Sequence, residues 1–374
     1  MSSSTTTALS RQPLKEVLEG VADPRDRRGV RHALTAVLCL AVVGVLAGCR
    51  ALGAMREHVA DLEPADLGDL DLEEGRALPG ESTIRRVLQR VNADDLDARV
   101  SSWLRTRVGA IGGRRVIAVD GKTMRGARGA GERAPHLLAA LDQAGGVVVG
   151  QRRVADKSNE IPALRDLLEP LDLDGAVITA DAMHTRRGTA EWIISRGAHY
   201  VLTVKGNQPS LKRELERLPW KDVPSISVPD GSHGRRVRRT IKAVEAPAWI
   251  DFPGAAQVIR IRRTKTVRGR KHVEVVHLIC SLPMTDAPPE LVASWARGHW
   301  AIENRLHWIR DVVFDEDRHR LRTGNAPQVI AALRNLAISL IRLLHGPAAR
   351  IAATTRAMAP RPRRAIDLIT RPPR

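Results

Sequence analysis

Two short apolar runs that each end in an aspartate constrain the fold of this 374-residue chain more than any other feature. Residues 116–119 are followed by Asp120, and residues 177–180 are followed by Asp181. Short apolar runs bounded by turn residues are typical of buried strands. Strands that alternate with helices form parallel sheets, which carry functional residues at the carboxyl ends of their strands. The two aspartates are therefore candidates for one site.

The central part of the chain is predicted to form a mixed α/β sheet. A candidate hairpin comes first, and strands then alternate with helices. The predicted strands are 114–121, 136–142, 146–154, 175–182 and 199–206, and the predicted helices between them are 161–168 and 186–196. Residues 225–281 alternate at a period of two and predict a basic, strand-rich segment. Long helices are predicted at 288–313 and 326–345.

Residues 11–110 are predicted to form an all-helical domain, because apolar stretches of helical period are separated by Pro, Gly and Asp clusters. The predicted helices are 13–18, 33–49, 52–62, 82–91 and 94–108. The helix 82–91 is either a DNA recognition helix capped by Ser82 or a packing helix. The uncharged stretch 33–49 is interpreted as a buried helix, with a membrane span as the alternative.

The formal net charge of +18 is concentrated in two segments. Residues 232–272 contain 12 basic and two acidic residues, and residues 325–374 contain nine arginines against Asp367. Such blocks indicate a nucleic-acid partner, and the alternative is a solvated basic face in an arginine-rich chain. Aromatic residues make up 3% of the chain, which argues against a base-stacking protein. Three cysteines exclude a disulfide framework and a four-cysteine zinc site, and predict a reducing compartment.

Glu303 is the candidate third carboxylate. In the predicted helix 288–313 it borders the buried face and shares an edge with His299, His307 and Arg310. Three carboxylates that meet would select Mg²⁺ or Mn²⁺, which prefer hard oxygen ligands. Three alternatives remain open. The first is that each aspartate only caps a turn, the second that Glu303 only forms salt bridges, and the third that His299, Glu303 and His307 bind zinc.

Several basic and amide side chains near these carboxylates are candidate contacts to the DNA backbone, because cations pair with phosphate and glycines allow close approach. They are Lys122, Arg125, Lys205, Asn207, Arg235 and Arg236. Glu160, the last residue of a Lys-Ser-Asn-Glu string, is interpreted as a first-turn acid of the next helix rather than a ligand. His184 and His233 are interpreted as loop residues.

Five strings occur in a characteristic order: AVDGKTMRG, VADKSNEIPAL, VITADAMHT, YVLTVKGNQPSL and HWAIENRLHWIRDVVFDEDRHRLRTGNAPQ. They resemble those of bacterial insertion-sequence transposases of the DDE superfamily, in the ISAs-type branch that includes the H-repeat-associated proteins. The strings DPRDRRGVRHALTAVLCLAVVGVLAGCR and GESTIRRVL are similar to the N-terminal domain associated with that branch. The resemblance covers residues 16–344.

The resemblance implies a fold and a domain organisation. The fold is α/β, a ribonuclease H-like mixed-sheet core with a strand-rich insertion, preceded by an all-α N-terminal domain. The implied organisation is a helical transposase-associated domain 11–110 and a catalytic domain 111–345 with a basic β insertion at 222–285. Composition, rather than the resemblance, predicts a disordered Ser/Thr-rich tail 1–10 and a basic, partly disordered Pro/Arg-rich tail 346–374.

The resemblance also implies the chemistry. Asp120, Asp181 and Glu303 match the three catalytic carboxylates, which hold two Mg²⁺ ions, with Mn²⁺ as a substitute. The expected activity is metal-dependent cleavage at the ends of an insertion sequence, followed by strand transfer into target DNA. The expected partners are the terminal inverted repeats and the target DNA, bound by a homodimer that is associated with the nucleoid in the cytoplasm and not with a membrane.

Larger relatives carry Tyr, Arg and Lys around the glutamate where this chain has Ala296, His299 and Arg310. The last two are expected to contact phosphate, whereas the role of the tyrosine is unfilled. The alternative functions are a structure-selective nuclease or resolvase on the same fold, and a domesticated, non-catalytic DNA-binding protein. The ordered match of five motifs favours the transposase, and the intact carboxylates argue against decay.

Overall fold

The computed structural model describes residues 12–26, 28, 30–72, 75–129, 133–155, 160–232, 235–267 and 270–372, and leaves out the side chains of 228–232, 235–236 and 267. The predicted tail 1–10 and the interpretation of His233 therefore lie outside the described residues. Two compact units form the chain. The first unit is Met1–Gly109, Gly121–Asn159 and Glu303–Arg374, and the second unit is Ala110–Asp120 and Glu160–Ile302. The division into domains 11–110 and 111–345 stays a prediction.

Helices and strands follow one another along the chain with short connections. In order they are α1 (Leu14–Glu19), α2 (Leu34–Leu46), α3 (Leu52–Ala60), α4 (Pro64–Asp69), α5 (Glu81–Arg90), α6 (Ala93–Arg105), β1 (Val116–Thr123), β2 (His136–Asp142), β3 (Val148–Arg153), α7 (Glu160–Leu168), β4 (Val177–Ala180), α8 (Arg187–Ser195), β5 (His199–Val204), α9 (Pro209–Arg217), β6 (Ile226–Ser232), β7 (Arg235–Glu245), β8 (Gln257–Val267), β9 (Arg270–Cys280), α10 (Pro289–Ile302), α11 (Trp308–Val312), α12 (Ala326–His345), α13 (Ile351–Met358) and α14 (Pro362–Thr370).

The helix α12 forms the centre of the first unit, where every residue from Ala326 to Arg342 is buried. Helices α2, α5 and α6 and strand β3 pack against it. A helix that is apolar on all sides must be covered on all sides. Among the described residues α12 is the one helix long and apolar enough to cross a membrane, and 89% of its apolar window is buried inside the molecule. The shorter α2 is likewise buried, as expected for a core helix.

Polar residues of α12 find partners from other elements of the first unit. Asn335 donates to the Oε1 of Gln151 on β3 at 2.7 Å, and the backbone N–H of Val148 donates to the Oγ of Ser339 at 3.1 Å. These bonds fix the antiparallel hairpin β2–β3 against the helix. Buried polar groups are costly unless they are paired, so the bonds determine how the hairpin and α12 pack.

The C-terminal segment differs from the prediction. Residues 346–372 are not a disordered tail, because they form the helices α13 and α14. Ile351, Met358, Ala365, Ile366 and Ile369 are all buried. Ile351 and Met358 lie seven residues apart in α13, and Ala365 and Ile369 lie four apart in α14, so each helix has an apolar stripe despite the high Pro and Arg content of the segment.

The second unit is built on a mixed sheet whose described strands are ordered β1-β4-β5-β9-β8-β7-β6. The neighbours β1, β4 and β5 are parallel, and the later pairs are antiparallel. Helix α8 connects β4 to β5, because parallel neighbours need a crossover. Helix α10 covers one face of this sheet, where Trp295 packs in a cluster with Val116, Val177 and Val201. The predicted mixed α/β core is confirmed.

Candidate active site

Asp120 and Asp181 occupy equivalent positions on neighbouring parallel strands. Val119 of β1 is paired with Ala180 of β4, and each aspartate is the next residue of its strand. Side chains alternate between the two faces of a strand. Since Val116 and Val177 face α10, Asp120 and Asp181 extend from the same face of the sheet; Asp120 lies within β1 and Asp181 directly follows β4. Parallel register thus brings the two carboxylates to one edge of the sheet, as predicted.

His299 of α10 lies against the second aspartate. Its Nε2 is 3.4 Å from Oδ1 of Asp181, and its Nδ1 is 3.4 Å from the Oγ1 of Thr179. The hydrogen bond to His299 lowers the pKa of the Asp181 carboxyl, which outweighs the opposing effect of burial. Asp181 is therefore ionised at neutral pH. Both ring nitrogens of His299 face protein oxygens, Asp181 Oδ1 and Thr179 Oγ1, which argues against the alternative in which His299 binds zinc.

The chain beyond Asp181 is a tight turn that β5 and its following loop hold in place. Asn207 donates its Nδ2 to the carbonyl oxygen of Ala182 at 2.6 Å, and Thr185 donates its Oγ1 to the carbonyl of Thr203 at 2.7 Å. Asn207 thus supports the turn that follows Asp181. Lys205 is exposed nearby, and its charge also lowers the pKa of Asp181.

Glu303 begins a π-helical segment, Glu303–His307, that directly follows α10. The long helix predicted over 288–313 continues through this point, but its period changes from α-helical to π-helical there. A π-helical turn holds an extra residue, so it rotates the faces of the helix before and after it. Glu303 is consequently exposed, whereas His307 is buried. Segments of this kind occur frequently at functional sites.

The predicted contact of Arg310 with phosphate is wrong, because the Arg310 side chain is completely buried in the first unit. The guanidinium pairs with Glu316, from Nη2 to Oε1 at 2.7 Å, so no surface is left for the predicted phosphate contact. The rotation of the helix at the π-helical segment explains the error. Lys122 is also paired, with the Oδ2 of Asp311 at 2.6 Å, and Arg125 is exposed.

Arg235 and Arg236 open β7, but their side chains lie outside the described residues, so their DNA contacts stay predictions. His299, predicted to contact phosphate, instead faces Asp181 and is 9% exposed.

Sequence analysis did not identify the pairing of Glu160 with His184. Glu160 is the first residue of α7, as interpreted, but its Oε2 also lies 3.3 Å from the Nε2 of His184. His184 lies in the connection after β4, as interpreted, within a short 3₁₀ turn, and its side chain is completely buried. The only signal in the sequence was the unexplained Lys-Ser-Asn-Glu string.

The fold is a mixed α/β sheet that carries two aspartates side by side where the parallel strands β1 and β4 pair. Residues 111–340 match the family model described as "Transposase DDE domain", and residues 15–104 match the model of its associated domain, "DDE_Tnp_1-associated". The chain belongs to the DDE transposase family.

Relatives support this assignment along nearly the whole chain. "Putative transposase YncI" of Escherichia coli O157:H7 is 32% identical over 89% of this chain and 88% of the relative. "H repeat-associated putative transposase YhhI" of Escherichia coli K12 is 30% identical over 88% of this chain and 90% of the relative. Among solved structures, the piggyBac transposase in a synaptic complex with hairpin DNA aligns with 98% of this chain and 79% of its own, at 13% identity and a TM-score of 0.44.

Proposed function

We propose that this transposase cleaves DNA at the ends of its insertion sequence and joins the freed ends to target DNA, with Asp120, Asp181 and Glu303 as its catalytic carboxylates. The observation that carries the proposal is the register of β1 and β4, which sets Asp120 and Asp181 side by side on one face of the sheet. Glu303 supports it by position, because it follows His299 by four residues along the chain, about one helical turn.

The donor set fits a divalent cation with a preference for oxygen. Carboxylates are hard ligands that suit Mg²⁺ and Mn²⁺, and Asp181 is kept ionised by His299. Asp120, Asp181 and Glu303 would hold two such ions. The bound cations supply Lewis-acid assistance to the in-line displacement at phosphorus.

Protein groups around the carboxylates perform the remaining tasks. His299 orients Asp181, and Asn207 fixes the turn behind it. Lys205 is exposed beside them and offers a cation to the DNA backbone. In the first step water attacks the phosphorus at the element end and displaces its 3′ oxygen. In the second step the liberated 3′-hydroxyl attacks a phosphorus of the target DNA and displaces the 3′ oxygen of the target strand. One set of carboxylates serves both steps.

The strands β6–β9 provide a surface for the DNA backbone. Residues directly opposite each other in an antiparallel sheet share a face, and the register assigns Arg238, Arg262 and Lys271 to one face, here called the basic face. All three are exposed. Exposed Val273 and Val275 lie on the same face, and Val275 is directly opposite Arg262.

The opposite face of the same strands differs in charge. It carries Arg239 and Arg263 together with Glu274, whose Oε2 lies 3.7 Å from the Nη1 of Arg263. Among the described side chains of β6–β9, acidic residues occur on this face and none occurs on the basic face. The basic face is therefore the better match for a polyanion.

Two element ends must be processed together, which supports a homodimer on DNA as the working assembly. The terminal inverted repeats and the target are its two DNA substrates. The nucleoid of the cytoplasm is where such substrates are found.

The proposal is tested with DNA that flanks the gene. The purified full-length protein is incubated with that DNA and Mg²⁺, the breaks are mapped, and joining to a plasmid target is scored. We expect breaks at the element ends that require Mg²⁺ or Mn²⁺. Breaks that are not located at the element ends, or cleavage that persists in excess chelator, would contradict the proposal.

A further inference from the structure

The turn that follows Asp181 is held from several sides. The backbone N–H groups of His184 and Thr185 donate to the carbonyls of Asp181 and Ala182, both at 2.9 Å, and close a 3₁₀ turn. Strand β5 and its following loop hold the turn through the side-chain bonds described above. Helix α7 adds an attachment through Glu160.

The contact between Glu160 and His184 is buried and specific. His184 has no exposed surface, and the Glu160 side chain is 16% exposed. Nε2 of His184 lies 3.3 Å from the Oε2 of Glu160, whereas its Nδ1 has no hydrogen-bond partner among the described residues. Glu160 therefore provides the hydrogen bond that fixes the ring, and with it the middle of the turn.

We infer that Glu160 is a positioning residue, which acts through His184 to hold the 3₁₀ turn and thereby the direction of the Asp181 carboxylate. The inference rests on the proposed role of Asp181 in cleavage. Groups that support a metal ligand from behind limit the orientations of that ligand, and their loss commonly reduces metal affinity or activity about 10- to 100-fold.

A competing explanation is purely local. As the first residue of α7, Glu160 places a negative charge at a helix N-terminus, where it stabilises the helix whatever it contacts. Two conservative variants separate the explanations. Glu160→Asp keeps the charge but shortens the side chain and breaks the contact with His184. Glu160→Gln removes the charge but keeps an oxygen that accepts from His184.

The positioning role predicts that Glu160→Gln resembles the wild type and that Glu160→Asp is impaired, and a helix-charge role predicts the reverse. The first readout is hydrogen exchange in the peptide that contains residues 182–186, without metal or DNA. We expect at least tenfold faster exchange at the His184 and Thr185 amides in Glu160→Asp. Glu169→Ala, which removes an exposed partner of Arg196 beyond the other end of α7, is the matched control and should not change it.

The second readout is metal binding, measured by Mn²⁺ titration calorimetry of the full chain, together with Mg²⁺-dependent cleavage. Both should weaken about tenfold or more in Glu160→Asp and recover in Glu160→Gln. Equal exchange, Mn²⁺ affinity and cleavage in Glu160→Asp and the wild type would overturn the positioning role, provided that Asp181→Ala is inactive. If Asp181→Ala cleaves as well as the wild type, the proposed function fails instead.

Discussion

Arg310 and Glu316 form an ion pair inside the first unit, with Nη2 and Oε1 2.7 Å apart and neither side chain exposed. Arg334 contacts the other carboxylate oxygen at 3.1 Å. Burial alone would raise the pKa of Glu316, but the two guanidinium groups outweigh it and lower the pKa to about 2. The motif around Glu303 thus contains an arginine that serves stability rather than DNA contact.

Replacing Glu316 tests that role. Glu316→Gln leaves two buried guanidinium groups without a compensating charge, so we expect a loss of about 3–5 kcal/mol in the free energy of unfolding. Urea denaturation measures it. Glu81→Gln, which breaks the exposed pair of Glu81 with Arg85 on α5, is the control and should lose less than about 1 kcal/mol. A similar loss in both variants would refute the buried role.

Gly126, the last residue of the AVDGKTMRG string, is required by close packing. A Cβ at this position would lie 2.6 Å from the carbonyl oxygen of Glu316 and 2.7 Å from that of His319. Backbone atoms cannot move aside cheaply, so Gly126→Ala should lower the melting temperature by several degrees. Gly68→Ala, at a helical position with open space, should leave it unchanged or raise it. Equal melting temperatures for the two variants would show that a Cβ at position 126 fits beside the carbonyl oxygens of Glu316 and His319.

Asp97 makes the stability of the first unit depend on pH. Burial raises the pKa of Asp97 to about 7. The hydrogen bonds from Gln328 and Gln151 lower the pKa, but their effect is smaller than that of burial. The native state keeps this proton up to a higher pH than the unfolded state. Its stabilising effect is therefore complete below about pH 4 and is lost as the pH rises through about 7.

The comparison with Asp97→Asn isolates this effect from other groups. Between pH 5 and 7 the wild type should lose up to about 1.4 kcal/mol per pH unit relative to the variant, and above pH 8 the difference should be constant. Urea denaturation across this range measures it. A difference between the two proteins that does not change with pH would contradict the raised pKa.

The role of the basic face of β6–β9 in DNA binding can be tested by comparison with the opposite face of the same strands. Arg238→Ala with Arg262→Ala removes two exposed cations from the basic face, and we expect the slope of log K against log salt to fall by about two for DNA binding. Arg239→Ala with Arg263→Ala removes the same charge from the opposite face and is the control. Equal effects of the two double variants on affinity would show that the strands bind DNA without a preferred face.

Local patterns predicted the strands that carry the site, because apolar runs precede both Asp120 and Asp181; β4 ends before Asp181, whereas β1 continues to Thr123. The π-helical segment at Glu303 was not predictable, since sequence periodicity cannot show where one residue is added to a turn. The contact of Glu160 with His184 depends on how α7 packs against the 3₁₀ turn that follows β4, which no short stretch of sequence encodes. The helices α13 and α14 were not predicted, because the Pro and Arg content of the segment is typical of a disordered tail and its apolar stripes are narrow.

The most direct test of the central proposal compares strand cleavage by the wild type with that by Asp120→Asn, Asp181→Asn and Glu303→Gln, each on labelled element-end DNA with Mg²⁺. DNA binding is measured in parallel by fluorescence anisotropy in excess chelator. We predict that each single variant binds DNA with wild-type affinity and cuts it at least about 1000-fold more slowly, since each removes a charged ligand of the cation site. Cleavage at the wild-type rate by any one of the three would contradict the assignment of that carboxylate.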